Sequence, residues 1–261
     1  MKLSNVLTST TACPQYLDFV PIFIRSWNYF YPETKVNIVL IADELPSKLE
    51  PFKDNIILFR APIGLSQLFC AQVIRLLYPA LLSCEEGVLI TDMDDIPLSS
   101  GYFMDNCSPY SKKKFISYRD RSVVCPGQIS MMYNIATPQT WADIFNVYSA
   151  DDLVRKLIDL YEPLSYNSDP TVAKYDSAWF SDQRYLCESI DNWSRKSIDY
   201  IELSDKNTGF NRLCRSQLPS LESIRKYMED KPYTDYHMAR PHLKFKKLNT
   251  QILELAILLK N

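Results

Sequence analysis

The stretch Gly87-Val88-Leu89-Ile90-Thr91-Asp92-Met93-Asp94-Asp95-Ile96-Pro97-Leu98 joins a short apolar run directly to three carboxylates within four positions. The apolar half reads as a strand buried on both faces, the habit of sheets covered by helices on either side. The acidic half needs a physical reason, because like charges this close raise one another's pKa unless something positive compensates them. The carboxyl ends of strands in an open α/β sheet are where ligands bind. Hard oxygen donors suit Mg2+ or Mn2+, and a metal held by few carboxylates completes its shell with substrate phosphates. The same arrangement would serve a nucleotide-sugar diphosphate, with the metal neutralising charge on the departing nucleoside diphosphate. An isolated Asp-x-Asp is a common tripeptide and reads more readily as a solvated polar loop. The segments around it decide between the two.

Upstream, Ser66 can cap a helix in which Leu65, Leu68, Phe69, Val73, Leu76, Leu77, Ala80 and Leu81 recur at helical spacing. Gln72 falls inside that apolar stripe and Arg75 on its flank, where a boundary arginine can also lie simply to cover apolar surface with its stem. Further back, Val36 to Ile41 and Asn55 to Phe59 read as buried strands, and Leu17 to Phe30 as a first helix. Val6 to Thr8 reads as a short strand ending in a hydroxyl-rich turn, Thr8-Ser9-Thr10-Thr11. Strands alternating with helices predict an α/β fold with an open sheet.

Downstream, Gln128 to Ala136 alternates enough to predict a strand, introduced by a turn at Cys125-Pro126-Gly127. Thr137-Pro138 starts a helix with proline at its first position. Residues 165–174 are polar and predict a loop, after which Ser181 can cap a helix beginning at Asp182. The apolar tail from Leu248 to Leu259 predicts a helix that closes the core or docks on another domain or subunit.

Composition narrows the function classes. The net charge of −2 provides no basic field for nucleic acid, and Lys112-Lys113-Lys114 is most simply a solvated loop. Seven dispersed cysteines without a CxxC pair predict reduced thiols, several of them in the core. Met1 to Leu7 turns polar at once, without a secretory pattern, and no run reaches membrane-span length; the expectation is a cytoplasmic protein. Five glycines form neither a P-loop nor a dinucleotide fingerprint.

Gln72-Val73-Ile74-Arg75-Leu76-Leu77-Tyr78-Pro79, followed by Gly87 to Asp94, resembles the central motif of GT-A-fold glycosyltransferases, in which an Arg- or Lys-bearing helix ending in Tyr-Pro precedes the strand carrying the DxD pair. It looks most like the small transferase domains of large DNA viruses and, more distantly, glycogenin-like transferases, from the first strand to about Pro241. The resemblance implies one GT-A-type, Rossmann-like domain over 1–261, with a mixed, mostly parallel central sheet flanked by helices. Residues 1–100 would form the nucleotide-sugar half and 101–245 the acceptor side, with 246–261 a terminal helix. It also implies a nucleoside-diphosphate sugar donor, with UDP as the nucleotide, a glycan or other hydroxyl acceptor, and Mn2+ or Mg2+ as cofactor.

By that resemblance Asp92 and Asp94 are the metal pair, Asp92 also approaching the donor, and Asp95 is an addition whose part is open. Arg75 faces the donor phosphate or sugar; Thr8, Ser9 and Thr10 line the nucleoside pocket; and Asp43 contacts base or ribose. Trp179-Phe180-Ser181-Asp182-Gln183 resembles the family's Asp-Gln pair, which would reach the transferred sugar or the acceptor, although a carboxylate at a helix start is stabilised there without any function. The chain's two histidines both lie in Asp235-Tyr236-His237-Met238-Ala239-Arg240-Pro241-His242, and His237, more than His242, is placed as a third metal ligand. Arg119, Asp120, Tyr133 and Asn134 are weaker candidates for the acceptor. Two other function classes compete. A metal-dependent nucleotidyltransferase or phosphohydrolase would want a glycine-rich or basic loop where Thr8 to Thr11 and Cys13-Pro14 stand. A non-catalytic nucleotide-sugar or glycan-binding module would use the aromatic residues for stacking, although aromatics are more often core.

Overall fold

The structure is a computed structural model and describes residues 1–161, 180–194 and 199–260. The expected loop at 165–174 and Trp179 lie outside these residues. The amino-terminal part runs β1 (Leu3–Thr11), α1 (Pro14–Leu17), α2 (Val20–Phe30), β2 (Lys35–Ile41), β3 (Ile56–Phe59), α3 (Gln67–Leu77), β4 (Gly87–Ile90) and β5 (Asp95–Pro97). It continues with α4 (Tyr102–Cys107), β6 (Phe115–Ser117), β7 (Asn134–Ala136), α5 (Pro138–Phe145), α6 (Ala150–Tyr161) and α7 (Ser181–Ser194). The remainder is β8 (Tyr200–Glu202), α8 (Asp205–Thr208), β9 (Arg212–Cys214), α9 (Leu221–Asp230), β10 (Asp235–His237) and α10 (His242–Lys260).

The main sheet has the order β3-β2-β1-β4-β7-β6-β8, and only β7 runs against its neighbours. The expected mixed, mostly parallel sheet is therefore present. From β1 the chain steps outward through β2 to β3, then returns to place β4 on the other side of β1. That reversal puts the crevice of an open sheet at the carboxyl ends of β1 and β4. A second, three-stranded sheet, β5-β10-β9, pairs β10 antiparallel to β5 and parallel to β9.

The continuous apolar strands are explained by two cores, one on each face. Val36, Ile38, Leu40 and Leu89 pack with α2 residues such as Phe23 and Trp27 on one side. Val39, Ile41, Val88 and Ile90 pack with α3 and α5 residues such as Ile74 and Trp141 on the other. Because successive side chains of a strand point to opposite faces, a strand covered on both is apolar at most positions, and the buried Asn37 of β2 is matched by a hydrogen bond to Asn5 of β1. The terminal helix α10 buries Ile252, Leu253 and Ala256 in the first of these cores, with Leu258 left exposed. No helix of the described residues is long and apolar enough to cross a membrane. All seven cysteines are free, and Cys70, Cys107 and Cys187 are buried.

Several local expectations are corrected. The hydroxyl run after Leu7 is not a turn: Thr8 to Thr11 continue β1, paired residue for residue with Ile38 to Ile41 of β2. β-Branched threonine fits a pleated strand as well as it fits a turn. The first helix breaks between α1 and α2, and Pro21 stands in the first turn of the new helix, where its missing N–H costs nothing. Of Gln128 to Ala136 only the last three residues are strand, because Tyr133 adopts a φ of 63° and ends the extended run. Lys112 is not only solvated; its ammonium pairs with Glu86.

Candidate functional site

A cavity of about 270 Å³ opens at the crevice between the ends of β1 and β4. Ser9, Thr10 and Thr11 form the wall contributed by β1, and Asp92, Met93 and Asp94 the wall beyond β4. Gln72 and Arg75 reach it from α3, Asp182 and Gln183 from the start of α7, and Arg215, His237 and Arg240 from the second sheet and its flanks. Ser66 caps α3 by accepting from the Phe69 N–H, as its sequence predicts, and so sets the helix phase that points Arg75 inward.

The second sheet brings His237 to the acidic cluster. In the antiparallel β5–β10 pair, His237 stands opposite Asp95, and the Met238 N–H donates to the Asp94 carbonyl at 2.8 Å. His237 Nε2 lies 3.6 Å from Asp94 Oδ2, while Nδ1 faces Cys214 Sγ at 3.8 Å. Donor atoms of Asp94, Asp95 and His237 lie within 4.8 Å of one another, a spacing that one cation can bridge. Burial pushes the Asp94 carboxyl up, but His237 and Arg215 outweigh it and hold the group well below the usual carboxylate range. Burial likewise favours neutral His237, yet Asp94 and Asp95 raise it to about 9. Burial raises Asp95 to about 7, with Asp235 and Asp94 adding to the shift and Arg212 opposing it.

Four arginines thread these acids. Arg75, only 9% exposed, bonds Asp92 through Nη1 and donates from Nη2 to Asp182 Oδ2 at 2.8 Å. The other Asp182 oxygen accepts the Gln183 N–H at 2.8 Å. Burial pushes the Asp182 carboxyl up and Arg75 opposes it. Arg215 bonds Asp94, and Arg240 Nη1 lies 3.8 Å from the same oxygen while donating to the Tyr16 hydroxyl at 2.7 Å. Behind the cavity Arg212 bonds Asp235 and stands 3.0 Å from Asp95 Oδ1, outside hydrogen-bond geometry. Both oxygens of the fully buried Asp95 thus accept no hydrogen bond.

The structure brings together Ser9, Thr10, Arg75, Asp92, Asp94, Asp182, Gln183 and His237. It does not bring two others. Thr8 is fully buried and does not line the cavity, which Thr11 does instead. Asp43 is exposed on the surface, where it pairs with Arg60 at 2.9 Å. His242 is buried beside Phe19 and Asn249, inside the packing of α10. The weaker candidates also have other duties: Arg119 holds Asp205, Asp120 accepts the Asp205 N–H, Tyr133 donates to Asp235, and Asn134 donates to the Ser130 carbonyl. Tyr16, Arg215 and Arg240 went unnoticed as site residues. Arg240 stood in the octet already singled out for its histidines, so a signal for it existed; for Arg215 there was none.

No family profile matches the sequence, and no curated protein matches it. Solved structures do. The galactosyltransferase LgtC, determined in complex with donor and acceptor sugar analogues, superposes with a TM-score of 0.51 at 10% identity, covering 97% of this chain and 95% of LgtC. The glycosyltransferase GlyE of Streptococcus pneumoniae TIGR4 gives a TM-score of 0.51 at 12% identity, covering all of this chain and 63% of GlyE. The chain therefore has the α/β fold of these GT-A glycosyltransferases, with a mostly parallel mixed central sheet flanked by helices.

Proposed function

We propose that this chain is a metal-dependent glycosyltransferase that moves a sugar from a nucleoside-diphosphate sugar, UDP being the nucleotide, to a glycan or other hydroxyl acceptor. The observation that carries the reading is the convergence of Asp92, Asp94, His237 and the Arg75–Asp182 pair on one cavity at the sheet's reversal point. The donor set suits Mn2+ or Mg2+: carboxylates with one imidazole, and in Asp95 a buried carboxylate whose oxygens accept no hydrogen bond. Asp94 and His237 would hold the cation, with Asp92 completing the set from the cavity side, where a diphosphate must also reach it. Asp95, whose donor oxygen lies within 4.8 Å of those of Asp94 and His237, is the third group of that cluster, with Arg212 beside it. Once bound, the cation supplies positive charge against the departing nucleoside diphosphate.

The protein's own groups do the rest. The β1 wall of Ser9, Thr10 and Thr11 would receive the nucleoside. Arg75 holds Asp182 and Asp92 in fixed positions on either side of the sugar site. With one oxygen on Arg75 and the other on the Gln183 N–H, Asp182 is suited to orienting sugar hydroxyls. Gln183 lines the same cavity beside it, with its Oε1 buried and accepting no hydrogen bond.

The test is a panel of nucleotide sugars incubated with the protein and Mn2+, without acceptor, with release of nucleoside diphosphate by slow hydrolysis as the readout. Release that stops with EDTA is expected. Calorimetric binding of a nucleotide sugar without any release would point to a binding module instead, and no binding with or without metal would overturn both readings. Replacing His237 by Ala is expected to weaken Mn2+ binding by at least the roughly 10–100-fold that loss of a ligand's supporting partner costs, with the fold retained. Unchanged affinity would remove His237 from the metal set.

A further inference from the structure

The charges around the cavity are balanced before any ligand arrives. Five carboxylates, on Asp92, Asp94, Asp95, Asp182 and Asp235, face four guanidiniums, on Arg75, Arg212, Arg215 and Arg240. A near-neutral, largely buried set exerts little pull on a bare dication, and a dication entering it alone would face Arg215 and Arg240 at close range. A diphosphate entering alone would face the carboxylates. The two together add little net charge.

Arg215 is placed to make that exchange. It lies directly after β9, at the start of a short 3-10 turn (Arg215–Gln217), and its side chain is 21% exposed where it lines the cavity. Its Nη1 bonds Asp94 Oδ2 and also donates to the Met238 carbonyl at 3.1 Å. Arg75 and Arg212 are each braced between two carboxylates, whereas Arg215 holds one carboxylate and one carbonyl. Losing Asp94 to a cation would therefore leave its charge free for a phosphate, with which a guanidinium pairs well.

We propose that Arg215 is a resident counter-ion of Asp94, which keeps a lone divalent cation out and passes to the donor's diphosphate when cation and nucleotide arrive together. The proposal rests on the metal and diphosphate site proposed above. It makes the site load its metal only in company with the nucleotide.

Calorimetric titration of Mn2+, with and without saturating UDP, tests this in the wild type and in Arg215→Gln. In the wild type Mn2+ binds at least about tenfold tighter with UDP present, and UDP gains the same factor from Mn2+. In Arg215→Gln, Mn2+ alone binds about tenfold tighter than to the wild type, and the coupling with UDP falls towards unity. Arg215→Lys, which keeps the charge, stays close to the wild type. If Gln does not fold, by circular dichroism, Arg215→Met keeps the packing of the stem and takes its place. Mn2+ affinity that is unchanged or weaker in the neutral variants overturns the proposal. The Mn2+ titration without nucleotide stands by itself: a chain that binds no nucleotide would sink the donor site, while the gain in Mn2+ affinity still decides what Arg215 does.

Discussion

Replacing Asp94 by Asn lowers metal-dependent nucleotide-sugar cleavage by at least about 10²–10³-fold, the scale for losing a charge-stabilising group aimed at the transition state. Asn fills nearly the same volume and leaves the backbone bond from the Met238 N–H in place, so β10 keeps its position. What disappears is a fixed negative charge. In the wild type, burial opposes that charge, but His237 and Arg215 outweigh it and keep the group ionised. The amide would leave His237 and Arg215 facing an uncharged oxygen at the centre of the cation site. The cost in stability is smaller, on the order of 1–3 kcal/mol by denaturant titration, because Arg215 and Arg240 can turn towards solvent. Activity within threefold of the wild type at saturating Mn2+ would place the cation somewhere other than Asp94.

The centre of this site was legible in the sequence because its signals are local. A buried strand running into Asp92, Asp94 and Asp95 and a capped helix carrying Arg75 each fit within a dozen residues, and β4 and α3 formed where expected. The second sheet was not legible. Its strands, Asp95–Pro97, Arg212–Cys214 and Asp235–His237, have three residues each, too few to display a period of two. The pairing of β10 with β5 joins segments more than a hundred residues apart and sets His237 against Asp95, and the pairing of β9 with β10 then carries Arg215 to Asp94. The resemblance supplied His237 without its geometry. Thr8 shows the opposite failure, a correct strand with its end placed by composition, whereas Asp43 follows a strand that ends where expected and pairs with Arg60 outside the cavity. Threonines at the end of an apolar run look like a turn, yet β2 pairs with all of them and the cavity wall moves to Ser9, Thr10 and Thr11.

Arg75 allows the sharpest separation between an ordinary helix residue and a built site. Replacing it by Met, which is close in length and apolar, is expected to destabilise the chain by about 3–5 kcal/mol, the cost of breaking a buried ion pair from one side. An arginine that merely covered apolar surface would cost about 0.5 kcal/mol or less. The difference arises from Asp182, which is 2% exposed and keeps only the Gln183 N–H once the guanidinium is gone. The loss should also depend on pH. Burial already pushes the Asp182 carboxyl up against the pull of Arg75, and without Arg75 it rises further. A carboxyl whose pKa is higher folded than unfolded binds more protons in the folded state across the interval between the two values, so stability falls as pH rises through it. The deficit of the Met variant is therefore largest at high pH, and shrinks as the solution is acidified and Asp182 takes up its proton. Adding Asp182→Asn to the Met variant removes the buried charge and should restore much of the loss at neutral pH, a non-additivity expected only of groups in direct contact. Denaturant unfolding of the two single variants and the double variant at two pH values measures all of this at once. A deficit that is independent of pH, and additive with the loss of Asp182, would mean that the Arg75–Asp182 pair does not brace the site.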